Sequence, residues 1–145
     1  MSLKCSFKYL PHTADVYIEV KGDTLEDAFK CVVYALLDVM TDPEKVGNEK
    51  CFKIKVDGFD LQSLLYNFIE ELLYLFDAEG FLPKKTEYIN IVFSNEKYDL
   101  KAKICGELFD PVKHESRTLV KAATYHLMEI EKSDSQVIMR FVLDI

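Results

Sequence analysis

Chain-breaking residues are scarce in this 145-residue sequence, which has five glycines and four prolines. That leaves little room for long loops or low-complexity tracts. With 49% hydrophobic and 30% charged residues, the composition is that of a folded globular protein. The length fits one domain, taken as residues 1–145, and leaves little for a second unit with its own core. No run of about 18 apolar residues is present, so no membrane-spanning helix is expected. The N-terminus lacks a basic region followed by an apolar run and a cleavage site, and a cytoplasmic or nuclear location is the resulting expectation.

Positive charge is also in short supply, with 18 Lys and Arg against 25 Asp and Glu and a formal net charge of -7. Binding a phosphate backbone over a broad surface needs clustered Lys and Arg, so direct nucleic-acid binding is not expected. Lys84, Lys85, Lys101 and Lys103, in or beside one β-region, run against that expectation, but solvated strand and loop lysines are the simpler reading. Cys5, Cys31, Cys51 and Cys105 are dispersed, with no CxxC pair and no histidine at zinc-finger spacing, and are expected to be reduced thiols. The glycines are isolated, so neither a phosphate loop nor a dinucleotide fingerprint is present, and no nucleophile motif is found. Catalysis therefore has little support.

What is present is periodicity. Phe7 and Tyr9, then Val16, Ile18 and Val20, alternate as two strands around the connection Pro11-His12-Thr13-Ala14, where proline removes a backbone donor. After Gly22 the period becomes helical through Leu25, Ala28, Phe29, Val32, Leu36 and Met40, with Asp23 or Thr24 as cap. Phe52, Ile54 and Val56 alternate with Lys53, Lys55 and Asp57 as a strand that buries one face. Asp60 caps a second helix whose stripe of Leu61, Leu64, Leu65, Phe68, Ile69, Leu72, Leu73 and Phe76 is the strongest periodic signal, ending at Gly80.

Strands follow through Ile89, Ile91 and Phe93 and through Leu100, Ala102 and Ile104, with a turn at Ser94-Asn95-Glu96. The polar stretch 109–118 reads as a mobile connection, and strands at 123–130 and 137–143 close the chain. The last of these is apolar on both faces and so central in its sheet. Two helices among many strands predict an α+β fold, a mixed and mostly antiparallel β-sheet sandwich packed with two main α-helices.

The chain end offers the most chemistry. Asp144, the backbone carbonyls and the terminal carboxylate at Ile145 would be delivered together to one end of a central strand. Oxygen donors of this kind suit a hard cation such as Ca²⁺, and Asp15 is the best candidate to meet Asp144. Taken alone, these residues are more simply read as a solvated terminal acid and a turn acid. An acid/base pair of His12 with Asp15 is conceivable, against the simpler reading that His12 hydrogen-bonds within its connection. His126 reads as a strand histidine or as part of a partner surface. Asp57-Gly58-Phe59-Asp60 reads as a turn with a helix cap, and Glu70-Glu71 as an exposed helix face.

Pro11-His12-Thr13-Ala14-Asp15 followed by Gly22-Asp23-Thr24-Leu25-Glu26 resembles the opening signature of the archease family. Asp60-Leu61-Gln62-Ser63-Leu64-Leu65, Glu70-Glu71-Leu72-Leu73-Tyr74, Gly106-Glu107, Val120-Lys121-Ala122-Ala123-Thr124-Tyr125-His126 and the ending Val142-Leu143-Asp144-Ile145 continue the likeness in the same order. The sequence departs from it at Tyr17, where the family often has a small residue.

The resemblance implies a metal-binding accessory protein rather than an enzyme. Its expected partner is an RtcB-type RNA ligase in tRNA splicing, whose guanylylation and repeated turnover it promotes. Asp15, Asp144 and Ile145 are similar to the family's metal site, with Ca²⁺ the usual ion and another divalent cation the alternative. The competing classes are a stand-alone metal-dependent enzyme acting on a small substrate and a chaperone-like interaction module.

Overall fold

The computed structural model describes residues 4–145, so residues 1–3 of the expected domain lie outside the description. Strands β1 (Cys5–Leu10) and β2 (Val16–Gly22) lead into helix α1 (Leu25–Met40), a 3-10 turn (Pro43–Lys45), β3 (Lys50–Gly58) and helix α2 (Leu61–Glu79). The hairpin strands β4 (Phe81–Ser94) and β5 (Lys97–Leu108) follow, then β6 (Ala122–Lys132) and β7 (Val137–Asp144). The strands form two antiparallel sheets, β1-β2-β7-β6 and β3-β5-β4. Each helix touches both, α1 packing on β1, β2 and β4, and α2 on β3 and β6. The expected α+β sandwich is found, with the helices as its filling.

That placement explains why α1 is apolar nearly all round. Its predicted stripe supplies one buried face, but Cys31, Val33, Ala35, Leu37 and Val39 are buried too, because a helix between two sheets has two covered sides. Thr24 caps it, the Thr24 hydroxyl oxygen accepting from the Asp27 N–H at 3.1 Å, with Glu26 and Asp27 in the first turn. In α2 the Asp60 carboxylate accepts from the Ser63 N–H at 2.7 Å while Ser63 Oγ accepts from the Asp60 N–H at 3.2 Å. Gly80, at φ +69°, ends that helix in the left-handed conformation.

β7 lies between β2 and β6, as its two apolar faces imply. The turn between β4 and β5 sits at Asn95 and Glu96, whose φ values of 52° and 62° match the twist of a two-residue hairpin. β4 starts at Phe81, much earlier than the alternation of Ile89, Ile91 and Phe93 indicates. Its first half carries Pro83 and two register shifts, Pro83/Lys85 and Thr86/Tyr88, which an edge strand accommodates. β6, also an edge, is broken by an irregularity between Thr124 and Glu129, with Leu127 at φ 58°.

Two expectations are corrected. The cysteines are not free thiols: Cys5 on β1 is joined to Cys31 on α1, and Cys51 on β3 to Cys105 directly opposite on β5. Their separations of 26 and 54 residues leave no local signature, so only the topology reveals them.

The stretch 109–118 is not a loose connection either. Arg117 and Thr118 N–H groups donate to the carbonyls of Met40 and Val39 at 3.0 and 3.1 Å, satisfying groups orphaned at the end of α1. Glu107 supplies the second anchor. Its Oε1 accepts from the Gly47 N–H at 2.8 Å and from His114 Nε2 at 3.1 Å, and Lys113 Nζ lies 2.8 Å from both carboxylate oxygens. The buried His114 ring accepts from the Asp110 N–H at Nδ1, 2.9 Å, which leaves Nε2 as its donor. These bonds, led by that from Lys113, hold the Glu107 carboxyl down at about 2.

Candidate functional site at the end of the first sheet

β2 begins where β7 ends. Val16 is paired with Leu143, so Asp15 and Asp144 are the next residues of their chains at this end of the sheet. Asp144 is exposed, and its carbonyl accepts from the Lys121 N–H at 2.7 Å, which fixes the last turn of chain before Ile145. Ile145 is half-buried against the core. Neither the Asp15 nor the Asp144 carboxylate has a hydrogen-bond or ion-pair partner among the described residues.

Behind Asp15 lies an open cavity of about 410 Å³ lined by Tyr9, Tyr17, Asp38, Arg117 and Thr118 among others. Asp38 organises its wall. The Tyr9 hydroxyl donates to Asp38 Oδ2 at 2.5 Å, and Arg117 Nη1 donates to Asp38 O and Oδ1 at 3.1 and 3.2 Å. Partial burial, then the Asp38 carboxylate, push the Tyr9 phenol well above its ordinary range, with Arg117 opposing.

His12 does not pair with Asp15 through a hydrogen bond among the described residues. Its ring stands against Tyr17, centroids 6.0 Å apart, and against His126 at 6.2 Å, so the loop histidine and the β6 histidine share one surface. Asp60 is the expected helix cap. Glu70 departs from the expected solvated face, since its Oε2 accepts from the Ala123 N–H at 2.8 Å and ties α2 to β6. Glu107 was visible beforehand only as part of a motif, because its role depends on chain segments 60 residues apart.

Among the described residues no three His, Cys, Asp or Glu side chains converge as a metal cluster. What the sheet end provides is two unpartnered carboxylates at adjoining strand termini. Their all-oxygen chemistry is of the kind that suits a hard cation. No helix among the described residues is long and apolar enough to cross a membrane.

Residues 7–145 match the model of the archease protein family (MTH1598/TM1083). The chain belongs to the archease family. It is 45% identical over 139 residues to a protein archease of Sulfurisphaera tokodaii, covering 96% of this chain and 98% of that one. It is similar to the solution structure of Methanobacterium thermoautotrophicum protein 1598, with a TM-score of 0.82 and 32% identity, covering 96% of this chain and 98% of that one. A Thermotoga maritima archease, described as a possible chaperone, shares the fold at a TM-score of 0.61 and 18% identity over 95% of this chain and 96% of that one. Archease membership thus accompanies the same fold.

Proposed function

We propose that this archease is an accessory protein, not an enzyme, that activates an RtcB-type RNA ligase in tRNA splicing by promoting its guanylylation and multiple turnover. The observation that supports the reading is the β2–β7 register, whose last pair, Val16 with Leu143, leaves the acids at positions 15 and 144 as the next residues at one end of the sheet. The resemblance of Asp15, Asp144 and Ile145 to the family's metal site motivates assigning that end of the sheet to a metal. Asp15, Asp144 and the Ile145 carboxylate would hold Ca²⁺ or another divalent cation, which supplies a fixed positive charge and a rigid edge.

The chain's own residues do the rest. Lys121 donates to the Asp144 carbonyl, while Tyr9 and Arg117 both donate to Asp38 in the wall of the neighbouring cavity. An edge organised in this way can favour one ligase state only by its differential affinity for that state. A tenfold stimulation needs about 1.4 kcal/mol of such preference, which a few charge-assisted contacts supply.

The test is GTP-dependent guanylylation of the cognate ligase with the intact protein and with Asp144→Ala. Strong stimulation by the first and little by the second is expected, and equal stimulation by both removes the metal edge from the account. Activity that persists in chelator identifies a metal-free interaction module, and turnover of a small substrate without ligase identifies an enzyme.

A further inference from the structure

The outward face of the β3-β5-β4 sheet places like charges directly across from one another. Lys53 is paired with Lys103, and Lys55 with Lys101, in adjacent rows of the β3–β5 ladder. Facing residues on neighbouring strands stand about 5 Å apart, and like charges in that position destabilise a sheet. None of the four forms an ion pair among the described residues. On β4 the same rows continue as Tyr88 beside Lys103 and Asn90 beside Lys101, both exposed, and Lys85 stands beside Cys105 one row away.

The surrounding acids do not neutralise this group. Asp57 and Asp99 face each other at one end, but Lys97 bridges them at 3.3 and 3.7 Å. Glu87 on β4 is the other carboxylate nearby, 3.8 Å from Cys105 Sγ. Lys84, part of the patch suspected from sequence, turns away and donates to the Val46 carbonyl at 2.7 Å. Five lysines on one sheet face are thus set against Glu87 and the one acidic charge that Lys97 leaves unbalanced at Asp57 and Asp99, on a protein of net charge -7. A shallow cavity of about 330 Å³ opens between Lys55, Lys101, Asp99, Asn90 and Val92.

We propose that this face binds the backbone of single-stranded RNA, with the paired lysines on successive phosphates and the Tyr88 ring as a stacking platform for a base. Alternate residues along a strand are about 6.7 Å apart, a spacing comparable to that between successive phosphates of an extended strand. A positive surface with an exposed aromatic ring is how sequence-tolerant single-strand binders work, and sheet faces present such rings in several RNA-binding modules. An acidic peptide would satisfy the lysines but would leave Tyr88 and Asn90 without a purpose. The choice of RNA rests on the reading of this archease as an RNA-ligase accessory. The distant acidic surface does not forbid it, since charges beyond about 8 Å are largely screened at physiological salt.

Fluorescence anisotropy of a labelled 12-nucleotide RNA with the full chain and no ligase tests the proposal. With about four phosphates neutralised, affinity should fall about 50-fold between 50 and 200 mM KCl. The double variant K53E/K101E puts an acid opposite Lys103 and another opposite Lys55, so it should fold at least as well as the parent by thermal melting while binding RNA more than tenfold more weakly. The charge-matched control K45E/K132E should bind as the parent does.

Absence of binding at 50 mM KCl, or equal loss in both double variants, would overturn the proposal. So would a preference for poly-glutamate over the RNA. Asp144→Ala should keep RNA binding while losing stimulation of guanylylation, so the RNA face and the metal edge fail separately.

Discussion

The outward faces of the two sheets solve the same problem in opposite ways. Across the first sheet one row reads Lys8, Glu19, Arg140, Glu129 on β1, β2, β7 and β6, alternating in sign at every step. Arg140 Nε lies 2.8 Å from Glu19, and its Nη1 lies 2.9 Å from Glu131 and 3.7 Å from Glu129. Burial alone would raise the Glu19 carboxyl. The hydrogen bond from Arg140 and the charges of Lys8, Arg140 and Lys21 outweigh it, leaving the group below its ordinary range. On the second sheet the corresponding rows set lysine against lysine with nothing between them. One face is consistent with its own fold, and the other violates a local rule, which natural proteins do chiefly where function requires it.

Breaking the first face should have the largest effect. Arg140→Ala leaves Glu19, only 5% exposed, with partial compensation from Lys8 and Lys21, and should cost about 3 kcal/mol in urea denaturation. Glu107→Gln, which removes the charge that gathers Lys113, His114 and Gly47, should cost about 2 kcal/mol and raise amide exchange across 109–118.

The pH dependence of that second site follows from its sign. The fold lowers the Glu107 carboxyl from 4.5 to about 2, so its contribution is complete above pH 4.5 and disappears as pH falls through 2. An acid melt of the parent should therefore lose more stability across that window than one of Glu107→Gln. Smaller still, and opposite in direction, Lys53→Glu alone should stabilise the protein by about 0.5 kcal/mol by replacing a repulsive cross-strand pair with an attractive one. A loss of stability there would mean that the second face is no less self-consistent than the first.

These contrasts mark what the sequence could and could not disclose. The period of α2, its stop at Gly80, the turn at Asn95 and the central place of β7 were legible because each depends on local pattern. The first half of β4 was not, because Pro83 and two irregular pairings destroy the alternation that announces a strand. The stretch 109–118 looked loose because its polar residues are satisfied by distant partners, Glu107 and the end of α1. The cysteine pairs and the lysine rows needed the registers of β1, α1, β3 and β5, which no spacing along the chain encodes. At the sheet end, Asp15 and Asp144 could be nominated from sequence, and the β2–β7 pairing leaves them beside its last paired residues, Val16 and Leu143.

The central proposal is that those two acids hold a cation. Calorimetric titration of Ca²⁺ into the purified chain, beside Asp15→Ala and Asp144→Ala, addresses it most directly. One site per chain in the parent and none in either variant is the predicted result; heat that survives unchanged in Asp144→Ala would contradict it.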